Sequence, residues 1–308
     1  MRTFLIGDVG FRVSDQWTPH CWINVILPTD DDNRYLVQEI GIPESFLKDI
    51  EDVDERSRME LEEGWMMMIL RIPYKVDDSG IPFITVPLGV IIKGDVFITI
   101  CHYQAEMIPD FIHYVNRKNV QVSTTWDLVF RLFLSSSVWY QKCLKQINNQ
   151  MNMAEKELER SIRNEELQRL LKIEKSLVFF ITSLRGNDNL LMKMKNLKSQ
   201  RKYFDEDLVE DVEIEQRQAQ DTARIHSDIL SGTMDAYASV ISNNLNIVMK
   251  RMTSVSIILM IPTLIASLYG MNVPNGLEEN SWGFVLVIVV SILISVICYK
   301  FFKWRRWL

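Results

Sequence analysis

Few residues in this chain have the types and spacing of a chemical centre, and those that could handle an ion lie on helices. Asn246, Thr253, Met260 and Ser267 recur every seven residues, and Met249, Ser256, Thr263 and Gly270 do the same between them. The combined seam steps by three and four in alternation, which keeps it on one face of a helix. Amide, hydroxyl and thioether groups on one stripe suit either close helix packing or a wet pore lining. A second concentration is Asp205 to Glu215, with seven acids and no base. Read alone, it is a solvated helix face.

The remaining inventory argues against catalysis. His20, His102, His113 and His226 are far apart, with no ligand spacing. Cys21, Cys101, Cys143 and Cys298 make no CxxC pair and no zinc pattern, so ordinary thiols in a reducing compartment are expected. The chain lacks GxxxxGK, GxGxxG and GxSxG. No enzyme activity and no cofactor are expected. A net charge of -6 speaks against nucleic acid as a partner.

The seam must be positioned by the elements around it. Met252 to Met271 and Trp282 to Tyr299 carry no charged residue, and each is long enough to cross a bilayer core of ~30 Å. Tyr269, Trp282, Tyr299, Trp304 and Trp307 suit the interfaces. Lys250 and Arg251 precede the first span, and Lys300, Lys303, Arg305 and Arg306 follow the second. The loop between them has no Lys or Arg and carries Glu278 and Glu279. The positive-inside rule then puts both ends in the cytoplasm of a multi-pass cell-membrane protein. Residues Met1 to Asp8 hold no long apolar run, so no cleavable signal is expected. Two spans cannot enclose a pore alone, so transport would require self-association. The second span is Val/Ile/Leu-rich around most of its circumference, as a lipid-facing outer helix would be.

Before the spans, short apolar runs predict strands over Arg2–Ile6, Cys21–Leu27, Trp65–Ile72, Phe83–Ile92 and Val96–Cys101, with helices near Pro43–Ile50 and Glu106–Asn116. Lys93-Gly94-Asp95 reads as a tight turn. From about Ser123 the pattern is helical, through Trp126–Arg163 and Asn164–Leu184, with a break expected at Arg185-Gly186-Asn187-Asp188. A last helix runs from about Phe204 into the membrane and would be about 100 Å long. The expected organisation is an α/β domain (1–122), a helical segment (123–203), a stem helix (204–251), a first span (252–271), an outer loop (272–281), a second span (282–302) and a basic tail (303–308).

Tyr269-Gly270-Met271-Asn272 ends the first span just before the outer loop. At that place the residues resemble the signature of the CorA family of magnesium/cobalt channels. Ser231–Tyr237, Ser242–Asn246, Asp52–Arg56, Val86–Ile91 and the tail Lys303–Arg306 are similar to the same family, so the resemblance covers essentially the whole chain. It implies a funnel-shaped homopentamer in the lipid bilayer, with cytoplasmic α/β domains, long helices and two C-terminal transmembrane helices. Tyr269, Gly270, Met271 and Asn272 would form the selectivity filter. Thr263, Met260, Ser256, Met249 and Asn246 would line the pore further in. Met249 and Met252 would form the hydrophobic gate, although Met252 lies beside the seam. The cargo would be Mg²⁺, with Co²⁺ and Ni²⁺ as further candidates, taken up down the electrochemical gradient. Mg²⁺ would also regulate, bound between neighbouring copies at Asp211. Some relatives carry a second aspartate after Glu62 and Glu63, where this chain has Gly64, which leaves Glu63 as the expected partner. Glu278 and Glu279 would attract cations. A zinc transporter of the same fold and a membrane-anchored scaffold are the alternatives. The intact Gly270-Met271-Asn272 favours magnesium over zinc.

Overall fold

The computed structural model of the chain describes residues 1–8, 10–76, 80–160, 164–197, 200–272, 276 and 282–307. It divides into two compact units, Met1–Gly232 and Thr233–Leu308.

The first unit is built on one sheet. Among the described residues the strands are β1 (Arg2–Asp8), β2 (Gly10–Ser14), β3 (Cys21–Ile26), β4 (Arg58–Glu62), β5 (Trp65–Lys75), β6 (Phe83–Lys93) and β7 (Val96–Cys101). Their order is β2-β1-β3-β7-β6-β5-β4. β3 and β7 pair in parallel, and the other neighbours are antiparallel. Helices cover both faces. α1 (Asp30–Tyr35), a π-helical turn at Leu36–Ile40 and α2 (Glu44–Glu51) lie on one side. α3 (Met107–Lys118), α4 (Thr125–Arg160), α5 (Asn164–Lys195) and the first turns of α6 (Glu206–Tyr269) lie on the other. Because both faces are buried, β5 is apolar from Trp65 to Leu70 and again at Ile72. Its Met66, Met68, Leu70 and Ile72 join one core, and its Trp65, Met67 and Ile69 join the other.

Among the elements not expected from the sequence are β2, β4 and α1. β2 and β4 are the edge strands, and β4 reads Arg-Met-Glu-Leu-Glu. An edge that must stay unpaired carries charge, so its apolar signal is weak. α1 is announced by a capping box, in which Thr29 accepts from the Asp32 N–H and Asp32 accepts from the Thr29 N–H.

The expected break at Arg185–Asp188 does not occur, since α5 runs through it to Lys195. Those residues dock the helix on the sheet instead. Arg71 in β5 directs both its N–H and its C=O away from β6, toward the β4 side. β4 stops at Arg58, opposite Ile69, so β5 has no strand partner at Arg71 on that side. Asn187 takes the strand's place. The Arg71 N–H donates to Asn187 Oδ1 at 3.0 Å, and Asn187 Nδ2 donates to the Arg71 carbonyl at 2.8 Å. Ser57 Oγ donates to the same Oδ1 at 2.7 Å. Gly186 permits the approach, because a Cβ there would lie 3.1 Å from Ser57 Oγ. The Tyr140 hydroxyl, its pKa raised by burial, also donates to the Arg71 carbonyl at 3.0 Å. The Arg71 guanidinium, made less basic by burial, donates to the carbonyls of Val53, Glu55 and Thr85.

The β4–β5 connection explains Gly64. Glu62 pairs with Trp65, leaving Glu63 and Gly64 as a two-residue turn. Their φ values are +49° and +79°. Two left-handed residues make the type I′ hairpin turn, whose second position favours glycine.

These contacts set two stability expectations. Asn187→Ala strands the Arg71 N–H of β5, whose carbonyl keeps Tyr140, and should cost ~1–3 kcal/mol, read as a lowered Tm of the full-length protein in detergent. An unchanged Tm would contradict the docking role. Gly64→Asp puts a Cβ at a left-handed position and should cost ~1 kcal/mol by the same assay in divalent-free buffer.

Candidate functional site

The second unit contains the end of α6 and α7 (Gly283–Trp304). Both helices have a stretch long and apolar enough to cross a membrane. With its 22 residues α7 is ~33 Å long, matching a core of ~30 Å.

Within this unit each helix has one covered face. Along the apolar stretch of α6, from Met252 on, the covered residues are Ser254, Ile258, Ile261, Pro262, Ile265 and Tyr269. On α7 they are Gly283, Val287, Ser291, Ser295, Cys298 and Phe302. Both sets recur at steps of mostly three and four, so each is a single stripe. The two helices are the elements of this unit, and the stripes cover one another. Ser254 is fully buried and donates its hydroxyl to the Lys250 carbonyl at 2.8 Å. Pro262 lies in the α6 stripe and leaves the Ile258 carbonyl without its helical donor.

The polar seam lies on the other side. Asn246, Met249, Thr253, Ser256, Met260, Thr263, Ser267 and Gly270 are all exposed, as is Met252. On a helical wheel the centre of the seam is about 190° from the centre of the stripe that α7 covers. The seam therefore does not serve packing within the chain. Thr263 Oγ1 donates to the Leu259 carbonyl at 3.1 Å, so its oxygen keeps acceptor capacity toward the open side.

The helix ends at Tyr269, which is half-buried. The Gly270 N–H still donates to the Ala266 carbonyl at 3.0 Å, and Met271 to the Leu268 carbonyl at 3.4 Å. A Cβ on Gly270 would sit 3.3 Å from the Ala266 oxygen, a tight fit that suits glycine at this exit. Met271 and Asn272 follow as exposed residues of a bend. Glu278 and Glu279 lie outside the described residues.

The acidic run has divided roles in the first unit. Asp205 caps α6, accepting from the N–H groups of Asp207 and Leu208 at 3.1 and 3.3 Å. Glu206 pairs with Arg201 and Glu213 with Lys195. Glu215 accepts from Gln141. Asp211 is exposed on α6 and Glu63 is exposed in the β4–β5 turn. Neither makes an ion pair among the described residues. No group of three or more His, Cys, Asp or Glu that could hold a metal occurs among the described residues. The thiols outside the spans are buried, and burial pushes Cys143 up to about 12 and Cys101 to about 11. At neutral pH neither is a nucleophile.

Sequence reading missed the covered stripes. α7 is Val/Ile/Leu-rich around most of its circumference and carries a small-residue row on its covered face. Gly283, Ser291 and Ser295, at steps of eight and four, were the available signal.

Comparison with known proteins agrees with this geometry. The chain is 26% identical over 299 residues to the cobalt/magnesium transport protein CorA of Methanocaldococcus jannaschii, covering 93% of this chain and 91% of that protein. It is 27% identical to the protein of the same name from Thermotoga maritima, covering 100% of this chain and 89% of that one. The fold superimposes on the complete structure of the CorA magnesium transporter from M. jannaschii with a TM-score of 0.84, at 24% identity, over 98% of this chain and 97% of that one. The CorA-like Mg²⁺ transporter protein family matches residues 18–304, and the chain belongs to that family.

Proposed function

We propose that this protein is a divalent-cation channel of the cell membrane, a homopentamer that admits Mg²⁺ down its electrochemical gradient, with Co²⁺ and Ni²⁺ as further cargo. The observation that carries the reading is the uncovered polar seam on α6, opposite the face that α7 covers. A hydrocarbon environment penalises such a stripe, and further copies arranged around a wet axis relieve the penalty. Both termini would lie in the cytoplasm, as the basic flanks require.

The chemistry fits a hydrated ion. Mg²⁺ holds its waters tightly. A ring of Asn272 amides with nearby backbone carbonyls hydrogen-bonds those waters without stripping them. Thr263, Ser256 and Asn246 continue the polar path past Met260. Met249 and Met252 narrow it near the cytoplasmic end, where apolar collars gate by dewetting. An inside-negative potential of 100 mV drives a divalent cation inward with ~4.6 kcal/mol, so no nucleotide is needed.

Regulation would use the exposed acids. Asp211 on one copy and Glu63 on its neighbour would repel when bare and be bridged by cytoplasmic Mg²⁺, holding the channel shut. Asp211 and Glu63 are both exposed and make no ion pair among the described residues, so each is open to a neighbouring copy.

Two measurements test the reading. In liposomes loaded with a magnesium-sensitive dye and held inside-negative, wild type should admit Mg²⁺ and Asn272→Ala should lose the flux. A folded pentamer that admits none at low internal Mg²⁺ would sink the magnesium reading and direct the same assay to Zn²⁺ with a proton gradient. Intact flux in Asn272→Ala would discard the filter assignment. Separately, a thiol placed by Ser256→Cys should react with a water-soluble methanethiosulfonate at least ~10-fold faster than one placed by Ser254→Cys, because only the first would face water. Equal rates would mean that the seam is dry.

A further inference from the structure

Past the end of α7 the backbone turns back on itself. Arg306 adopts φ +56°, a left-handed conformation that residues other than glycine adopt only at a cost. Its N–H donates to the Lys303 carbonyl at 3.2 Å, and the Trp307 N–H donates to the Phe302 carbonyl at 3.0 Å. These two bonds close the helix in the manner of a Schellman cap, in which glycine usually holds the left-handed place. The Trp307 ring then stacks on Phe302, centroids 5.7 Å apart and planes at 19°. The fold-back is therefore held by packing as well as by hydrogen bonds, and an arginine stands where glycine would be cheaper.

The cap gathers four cations. Lys300, Lys303, Arg305 and Arg306 make no ion pair with an acid among the described residues. The Arg305 guanidinium lies over the rings of Trp304 and Phe301, at 5.4 and 5.9 Å, and Lys303 lies 6.0 Å from the Tyr299 ring. Trp304 is 74% exposed and Trp307 42%. Cations interleaved with exposed indoles, at the end of a helix as long as a bilayer core, match the level of lipid phosphates.

We infer that this folded cap is a binding site for the phosphate of an anionic phospholipid. Arg305 and Arg306 supply the charge, and Trp304 and Trp307 bed the cap among the headgroups. The inference rests on α7 spanning the bilayer but not on ion conduction. Its test reads lipid alone, so a failure here leaves the channel reading untouched.

The experiment is native mass spectrometry of the full-length protein from detergent, titrated with phosphatidylglycerol or phosphatidylcholine. Wild type should retain phosphatidylglycerol preferentially. Arg306→Gly removes a charge at a position whose backbone suits glycine, so Tm should hold while the preference weakens. Arg305→Gln with Arg306→Gly should weaken phosphatidylglycerol binding about 10-fold or more. Arg12→Gln, an exposed cation of the first unit, should change nothing. Retention indifferent to headgroup, or a preference that survives the double substitution in a protein of normal Tm, overturns the site. Displacement of the lipid by inorganic phosphate also overturns it, in favour of a soluble anion.

Discussion

Hydrocarbon cannot hydrogen-bond, and that constraint organises the membrane part of this protein. A helix satisfies its own backbone there, but an amide or hydroxyl side chain must find protein or water. α7 offers only one face to α6, and the face it covers is not the polar one. Ser254, on the covered side, closes its hydroxyl onto the Lys250 carbonyl and is buried. Asn246, Ser256 and Thr263 are left on the uncovered side. A single chain is thus an incomplete solution to its own sequence. None of the uncovered residues of the seam is charged, which keeps the cost of exposing it to hydrocarbon low.

The first unit obeys the same rule with different means. Its sheet is dry on both faces, so every backbone group on an interrupted strand edge needs a partner. At Arg71 the partner is a side chain from a helix, since β4 has ended. The α5 carbonyl at Leu184 shows the converse case. It receives Gln216 at 2.7 Å and Gln220 at 3.0 Å from α6, and Ser137 of α4 donates to Gln216 at 2.8 Å. These bonds are directional, and they fix α6 in rotation as well as in position against its neighbours. Apolar packing of Leu208, Val209 and Val212 alone would fix it less narrowly.

What could be read from the sequence follows from where the signal is strong. β5, β6 and β7 are buried on both faces, and their long apolar runs mark them without ambiguity. The two spans stand out for the same reason, and so does the seam, because a seven-residue recurrence survives any local irregularity. β2 and β4 are hidden because an edge strand is built to look polar. The Arg185–Asp188 stretch misleads for a deeper reason. Gly186 and Asn187 have poor helical propensity, and propensity was all that could be judged locally. Their value lies in Ser57 and Arg71, more than a hundred residues away in sequence. Tertiary contact outweighs a local cost of ~1 kcal/mol per residue. The Gly64 departure has a comparable origin. As an absent aspartate it looks like a lost ligand, whereas the hairpin shows a backbone position where glycine belongs.

The distribution of charge completes the physical argument for a conduction path over a storage site. A protein that holds Mg²⁺ or Zn²⁺ gathers several carboxylates, imidazoles or thiolates around one point. Here the acids of the Asp205–Glu215 run are spread along the start of α6 and partly committed to capping, to Lys195 and to Arg201. The seam itself is neutral from Asn246 to Gly270. A site that conducts must attract an ion enough to admit it and bind it weakly enough to release it. Neutral oxygen ligands meet that condition for a cation that keeps its hydration shell, because they replace bulk water as hydrogen-bond partners of the shell at little net gain. A single carboxylate ring on the same stripe would deepen the well with every added copy. The side chains on α6 therefore favour passage over capture.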